Sequence, residues 1–411
     1  MQAYAEYKDS GVDWLGVLPT QWEVKRLKFL CSIGTGERNT EDKIDGGKYP
    51  FYVRSQKAEK INSYSFDGEA ILTAGDGAGV GKVYHYVDGK FDFHQRVYKF
   101  SNFNGIFGKY LFHYISNTFY SVAVLGTAKT TVDSLRLPLI QDFWISFPFD
   151  TSEQAAITNF LDDKVAKIDE LVKIKRRQIA LLGERKKILI QNAVTKGLNL
   201  NAPMKDSGVK WIGTIPAHWE VKPAKHLFFE VDERSENGDE ELLSVSHMTG
   251  VTPRSEKTVS MFLAEDYSGS KICRDRDLVF NIMWAWMGAL GVSSQVGIVS
   301  PSYAVFRQLK FQTFNHVYLE MLMQSLGYIE HYNKVSTGLH SSRLRFYSHM
   351  FLSMKIGYPS FEEQERIVKF LAKETGKISK AVSVLESQIT KLNEYKTTLI
   401  NAAVTGKIKV A

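Results

Sequence analysis

The stretch TAGDGAGVGKV, Thr73 to Val83, is where a search for chemistry in this chain begins. A phosphate-binding loop built around Gly81-Lys82 needs glycine at 76 and a hydroxyl residue at 83, whereas the chain has Asp76 and Val83. The spacing of a dinucleotide fingerprint is absent as well, so the stretch reads as a glycine-rich strand connection whose backbone can approach a ligand closely. The ten prolines include no adjacent pair and none followed by Asp. That removes the Asn/Asp-Pro-Pro-aromatic signature of enzymes that methylate exocyclic amino groups on bases, and also the common Pro-Asp nuclease pattern. The ten histidines are scattered, with no pair at helical metal-ligand spacing, and Cys31 and Cys273 match no metal or redox spacing. The residues offer hydrogen-bond donors and cations in polar clusters, but no constellation for catalysis.

The elements that carry these clusters occur twice. Lys8–Lys25, KDSGVDWLGVLPTQWEVK, returns as KDSGVKWIGTIPAHWEVK at Lys205–Lys222, with twelve of eighteen positions identical. Ser152–Thr195 returns at Glu362–Thr405 with a different offset, so the chain has the order A, B, A′, B′. Segment B places apolar residues at alternating spacings of four and three, with Lys175 and Lys186 filling two gaps: Leu161, Val165, Ile168, Val172, Ile179, Leu182, Leu189 and Ala193. The matching set in B′ is Leu371, Ile378, Val382, Leu385, Ile389, Leu392, Leu399 and Ala403, with Thr375 and Lys396 in the weak positions. These are heptad seams, each on a helix roughly 60 Å long, and they are expected to pair with each other. Thr151, Ser152 and Glu153 supply N-terminal capping, while Lys196-Gly197 and Gly406-Lys407 supply the stops. A and A′ mix β-type runs with helical stretches at 107–117 and 314–332, which predicts α/β or α+β domains whose ends repeat and whose interiors diverge.

A chain of 411 residues with 44% hydrophobic and 12% aromatic residues is too long for one ordinary core and well supplied for two. A net charge of +7 suits a polyanionic partner without requiring one. The start, MQAYAEYKDSG, lacks signal-peptide character, and the longest apolar stretch, Leu278 to Val292, is too short to span a bilayer. A soluble cytoplasmic protein with free thiols is the expectation.

Two copies of Asp-Ser-Gly-Val-x-Trp-(Leu/Ile)-Gly-x-(Leu/Ile)-Pro-x-x-Trp-Glu-Val, each followed by a variable domain, then Glu-Gln and a long helix ending in Ala-Val-Thr, resemble the specificity subunit of type I restriction-modification systems. The resemblance implies two target recognition domains, here 1–150 and 199–359, each reading one half of an asymmetric, interrupted DNA site. It also implies two conserved helices, 151–198 and 360–411, paired antiparallel as a spacer. Further implications are two methyltransferase subunits docked on the chain, motor-nuclease subunits joining for cleavage, and S-adenosylmethionine, ATP and Mg used by those partners rather than bound here.

On that reading, base and phosphate contacts come from loops between strands. In A the candidates are Arg54, Ser55, Gln56 and Lys57, then Gly77, Gly79 and Lys82 in the glycine loop, His94, Gln95 and Arg96, and Lys129, Thr130 and Thr131. In A′ they are Ser246 and His247, Trp284 and Trp286, Ser302 and Tyr303, and His340, Ser341, Ser342, Arg343 and Arg345 in STGLHSSRLR, the favoured cluster. Trp14, Trp22, Trp211 and Trp219, repeated in both halves, are expected to be framework rather than stacking platforms. A nuclease with an unrecognised centre and a repeat scaffold that binds only proteins are the competing classes.

Overall fold

The computed structural model describes residues 2–124, 134–257, 266–338, 340 and 343–410. The chain divides into two compact units, Met1–Arg176 with Leu385–Ala411, and Arg177–Val384. Each is an α/β domain with portions of two long helices, Thr151–Lys196 and Phe361–Val404.

In the first unit a four-stranded antiparallel sheet has the order Ser32–Thr35, Val97–Ser101, Ala70–Ala74, Tyr84–Val87. Alternation along the central strand divides its burial. Ile71 joins the core beneath the helix Gly108–Val124, while Ala70 and Leu72 pack with Phe91, Phe93 and Val97 beneath a second sheet. That second sheet has the order Glu59–Ile61, Tyr49–Tyr52, Lys90–Phe93, Phe66–Asp67. The second unit repeats the first sheet as Phe228–Val231, Ala304–Gln308, Leu278–Phe280, Leu290–Val292. Where the first unit has its second sheet, the described residues of this unit form two antiparallel strand pairs, Leu243–Ser246 with Gly250–Pro253 and Lys271–Cys273 with Gly297–Val299. The stretch 314–332, read from sequence as one helix, is two, His316–Met323 and Leu326–Val335, separated at Gln324 and Ser325.

The repeated motifs lock each domain to its helix. Trp22 and Trp219 are fully buried, and their indole N–H groups donate to Glu153 (3.1 Å) and Glu363 (3.3 Å) at the starts of the long helices. The adjacent Gln154 and Gln364 are also buried. Each accepts from one loop N–H, Phe107 or Asn315, and each donates to the carbonyl of the proline before its helix, Pro148 or Pro359. The Glu-Gln pair therefore satisfies loop groups that burial would otherwise leave unpaired. Asp150 supplies the first cap, its carboxylate accepting from the Ser152 N–H at 2.8 Å, one residue ahead of the expected Thr151. Trp14 stacks on Phe143 and Trp211 on His331, so all four repeated tryptophans are packed.

Each unit takes the start of one long helix and the end of the other. In the first, Asp169 meets Lys396 and Lys175 meets Gln388, both at 2.7 Å, so the two segments run antiparallel. Tyr110 lies 3.0 Å from the Val404 carbonyl, and in the second unit Tyr318 donates to the Val194 carbonyl at 2.9 Å. Gly197 and Gly406 end the two helices at φ of +76° and +71°, each against the repeated Pro and Trp of its unit. The seam is buried at Leu161, Ile168, Val172, Ala193, Leu371, Ile378, Leu399 and Ala403, and half-buried at the other eight positions. Among the described residues no helix is long and apolar enough to cross a membrane, and no cluster of His, Cys, Asp or Glu could hold a metal ion.

Candidate nucleic-acid interface

In both units three chain segments come together at one end of the sheets: the one leaving Tyr49–Tyr52 or Leu243–Ser246, the one leaving Ala70–Ala74 or Leu278–Phe280, and the turn before Val97–Ser101 or Ala304–Gln308. In the first unit Asp76 ties the three. Its carboxylate is nearly buried, and its two oxygens accept from different arginines, Arg54 at 3.0 Å and Arg96 on the turn. Burial works to raise the Asp76 carboxyl, but the hydrogen bonds from Arg96 and Arg54 outweigh it and hold the group below its usual value. The backbone reinforces the arrangement, with the Gly75 N–H on the Arg96 carbonyl (2.8 Å) and the His94 N–H on the Tyr52 carbonyl (2.9 Å). Both guanidinium groups face solvent, with 42% of the Arg54 side chain and 61% of Arg96 exposed.

Two candidates from sequence are corrected here. Gly79 is buried beneath the Arg54 carbonyl, where an added Cβ would sit 2.5 Å from that oxygen, so its glycine serves close packing and not ligand approach. His94 is 4% exposed and its Nδ1 accepts the Arg96 N–H at 3.0 Å. Burial, then the nearby Arg54 charge, lowers its pKa. A buried, neutral imidazole of this kind shapes the turn. Ser55, Gln56, Lys57, Lys82 and Gln95 are exposed, and Gly77 is half-exposed. The Ser55 hydroxyl is turned to the Lys57 carbonyl at 2.7 Å. Arg38, absent from the candidates, lies beside the same turn. Its guanidinium approaches the buried Asp92 at 3.4 Å, and its carbonyl accepts the Gln95 N–H at 2.8 Å. The two partners are 54 positions apart, so no local pattern announces them.

In the second unit the segments at the corresponding place are tied by a neutral side chain. Asn281 is buried, its amide donating to the Tyr303 hydroxyl at 2.8 Å and its oxygen accepting from the Met283 N–H at 3.2 Å. Trp284 and Trp286 stack with centroids 6.0 Å apart. Trp284 is about half exposed, while Trp286 is tied down by its indole N–H on the Met283 carbonyl at 2.9 Å. Lys257 donates to Ser244 (3.1 Å) and Ser246 (3.3 Å), a cation that sequence reading passed over. His247 and Ser302 are exposed and Tyr303 is half-buried in its bond to Asn281. Arg343 and His340 are exposed and joined through the Arg343 N–H and the His340 carbonyl at 2.9 Å. Arg345 is half-buried, paired through its backbone with Thr337. The next residue, Phe346, donates its N–H to the Ile282 carbonyl at 3.0 Å, bringing this segment alongside the tryptophan connection. Lys129, Thr130, Thr131, Ser341 and Ser342 lie outside the described residues.

Comparison with known proteins gives one family. Residues 19–181 match the type I restriction modification DNA specificity domain. The chain is 26% identical over 220 residues to the specificity subunit of the type I restriction enzyme EcoDI of Escherichia coli, covering 54% of this chain and 44% of that one. It is 24% identical over 440 residues to the MjaVIII specificity subunit of Methanocaldococcus jannaschii, covering 100% and 98%. Two solved structures share the fold. One is a chain from a study of complex assembly and conformational transition in a type I R-M system, with a TM-score of 0.65, 15% identity, and 95% and 99% of the two chains covered. The other is the HsdS subunit of Thermoanaerobacter tengcongensis, with a TM-score of 0.51, 14% identity, and 95% and 98% covered. Residues 19–181 are thus similar to the type I restriction modification DNA specificity domain, and the chain as a whole is similar to specificity subunits of type I restriction enzymes.

Proposed function

We propose that this chain is the DNA-specificity subunit of a type I restriction-modification complex, in which each unit reads one half of an asymmetric, interrupted duplex target. The observation that carries this is the pair of matching sites: the same three segments meet at the same end of the same sheet in both units, lined by different side chains. Equal scaffolds with unequal linings are what two different half-sites require. Residues 1–150 and 199–359 act as recognition domains, and the helices at 151–198 and 360–411 set the spacer and dock two methyltransferase subunits, which motor-nuclease subunits join for cleavage. The chain itself is non-catalytic; S-adenosylmethionine, ATP and Mg belong to its partners.

The test is to map methylated bases in a host genome with and without the chain. A bipartite motif that appears only when the chain is present is expected. Purified chain, by itself, should bind duplex with an affinity that falls steeply with salt and should transfer no methyl group. Binding insensitive to salt, or methyl transfer by the chain alone, would defeat the reading.

A further inference from the structure

We infer that the first unit reads guanine, through Arg54 and Arg96 held as a bracket on Asp76; this rests on the specificity-subunit reading above. A guanidinium has five N–H donors, and here each arginine spends one on a separate oxygen of the same carboxylate. Among the described residues the two side chains make no other hydrogen bond, so the remaining donors are available at the surface.

What these donors are for follows from the carboxylate between them. Phosphate contacts gain from net positive charge and tolerate any approach direction, as a flexible cation supplies. Asp76 reduces the cluster from two positive charges to one and would repel a phosphate oxygen placed beside it. It contributes direction instead: each planar fork is fixed at one edge and presents the other. A fixed fork matches two acceptors side by side, and in the major groove only guanine offers that pair, O6 and N7, with no donor beside them on the same base. Adenine places an amino group at the position of O6 and would confront the arginine with a second donor.

The scaffold keeps the bracket in place. The Asp76 backbone is bridged to Ser134, Gly75 donates to the Arg96 carbonyl, and Gly79 lets the Arg54 backbone descend onto the glycine connection. The second unit has Asn281 and Tyr303 where its segments meet, with Lys257 on Ser246 as a single cation and, among the described residues there, no arginine pair held on a carboxylate, so the bracket belongs to one half-site.

The experiment uses the full chain co-expressed with modification subunits, acting on a plasmid library of randomised sequence and read by sequencing for methylated bases. The wild type should yield a bipartite motif with at least one G·C pair in the half assigned to the first unit. Arg54→Ala and Arg96→Ala should each relax a G·C position in that half by roughly 5- to 150-fold, the range for one bidentate contact, and leave the other half unchanged. Arg96→Lys, which keeps charge and loses the fork, should restore salt-dependent affinity without restoring the preference. The lysine variant also guards against misfolding, because the Arg96 side chain faces solvent and the unchanged second half-site reports an intact protein. A first half-site without any G·C pair overturns the guanine assignment while leaving the bipartite reading standing. So does a uniform loss of affinity with the salt slope reduced by about one per arginine, the mark of phosphate contacts. An unsplit motif overturns both.

Discussion

The segment after Ala70–Ala74 and the segment after Leu278–Phe280 occupy the same place in their units, and they solve the same problem with opposite chemistry. In the first, glycines let the backbone pack closely and leave the surface to charged arginines gathered by Asp76. In the second, the backbone is held by a buried amide, and the surface is given to two stacked tryptophans. A guanidinium can keep its remaining donors in water while the carboxylate that holds it is buried, whereas an amide can be buried whole once its donors and acceptors are matched. The difference teaches that the frame demands a filled corner and leaves the choice of filling free.

Breaking the frame itself should have the largest effect and should not distinguish the units. Trp22→Ala and Trp219→Ala each remove a fully buried indole and orphan part of a glutamate, a loss of about 3–5 kcal/mol. Amide hydrogen exchange should show the loss confined to the mutated unit; equal deprotection of both would mean that they do not fold independently. A smaller effect separates the two segments. Gly79→Ala should cost about 1–3 kcal/mol through overpacking against the Arg54 carbonyl, read by denaturant melts.

The sharpest comparison is Asp76→Ala against Asn281→Ala. Losing Asn281 strands the part-buried Met283 N–H and Tyr303 hydroxyl, for about 1–3 kcal/mol. Losing Asp76 releases two arginines that water can solvate, so its stability cost should be about 1 kcal/mol or less. Its effect on half-site preference should be the larger of the two. The reverse ordering in melts and motif mapping would remove the distinction between a positioned surface and a satisfied core.

Acid should tilt the units apart by the smallest margin. Burial holds the imidazoles of His85, His94 and His113 below their usual pKa in the first unit, against His331 in the second. A depressed histidine binds its proton more readily unfolded than folded, so its contribution is intact above about pH 6.5 and is lost as pH falls toward the folded value. Burial raises Glu320 in the second unit, which has the opposite sign: acidification relieves the cost of ionising it. Exchange measured at pH 7.5 and 5.5, corrected for intrinsic rates, should therefore show the first unit loosening before the second.

Much of this architecture was legible because the chain says it twice. The tryptophan motif, the Glu-Gln pair, the heptad seams and the glycine stops each recur at a fixed offset, and each rests on local rules of period, capping and burial. The strand at Ala70–Ala74 and the helix at Gly108–Val124 were legible from composition for the same reason. Helix breakage at Gln324-Ser325 was not, because neither residue is Pro or Gly and the nearby Gly327 lies inside the second helix.

The sequence by itself determined which residues are frame and which are variable, because periodicity and repetition are properties of neighbouring positions. Tertiary structure decided what the variable residues do. Asp76 meets Arg54 and Arg96 across separations of 22 and 20 positions, and Arg38 meets Asp92 across 54. It also decided that His94 and Gly79 face inward, and that each unit takes the end of the other half's helix, Tyr110 against Val404 and Tyr318 against Val194. Such pairings depend on which strand ends a sheet brings together, and a charge or a glycine reads the same in sequence whichever partner the fold supplies.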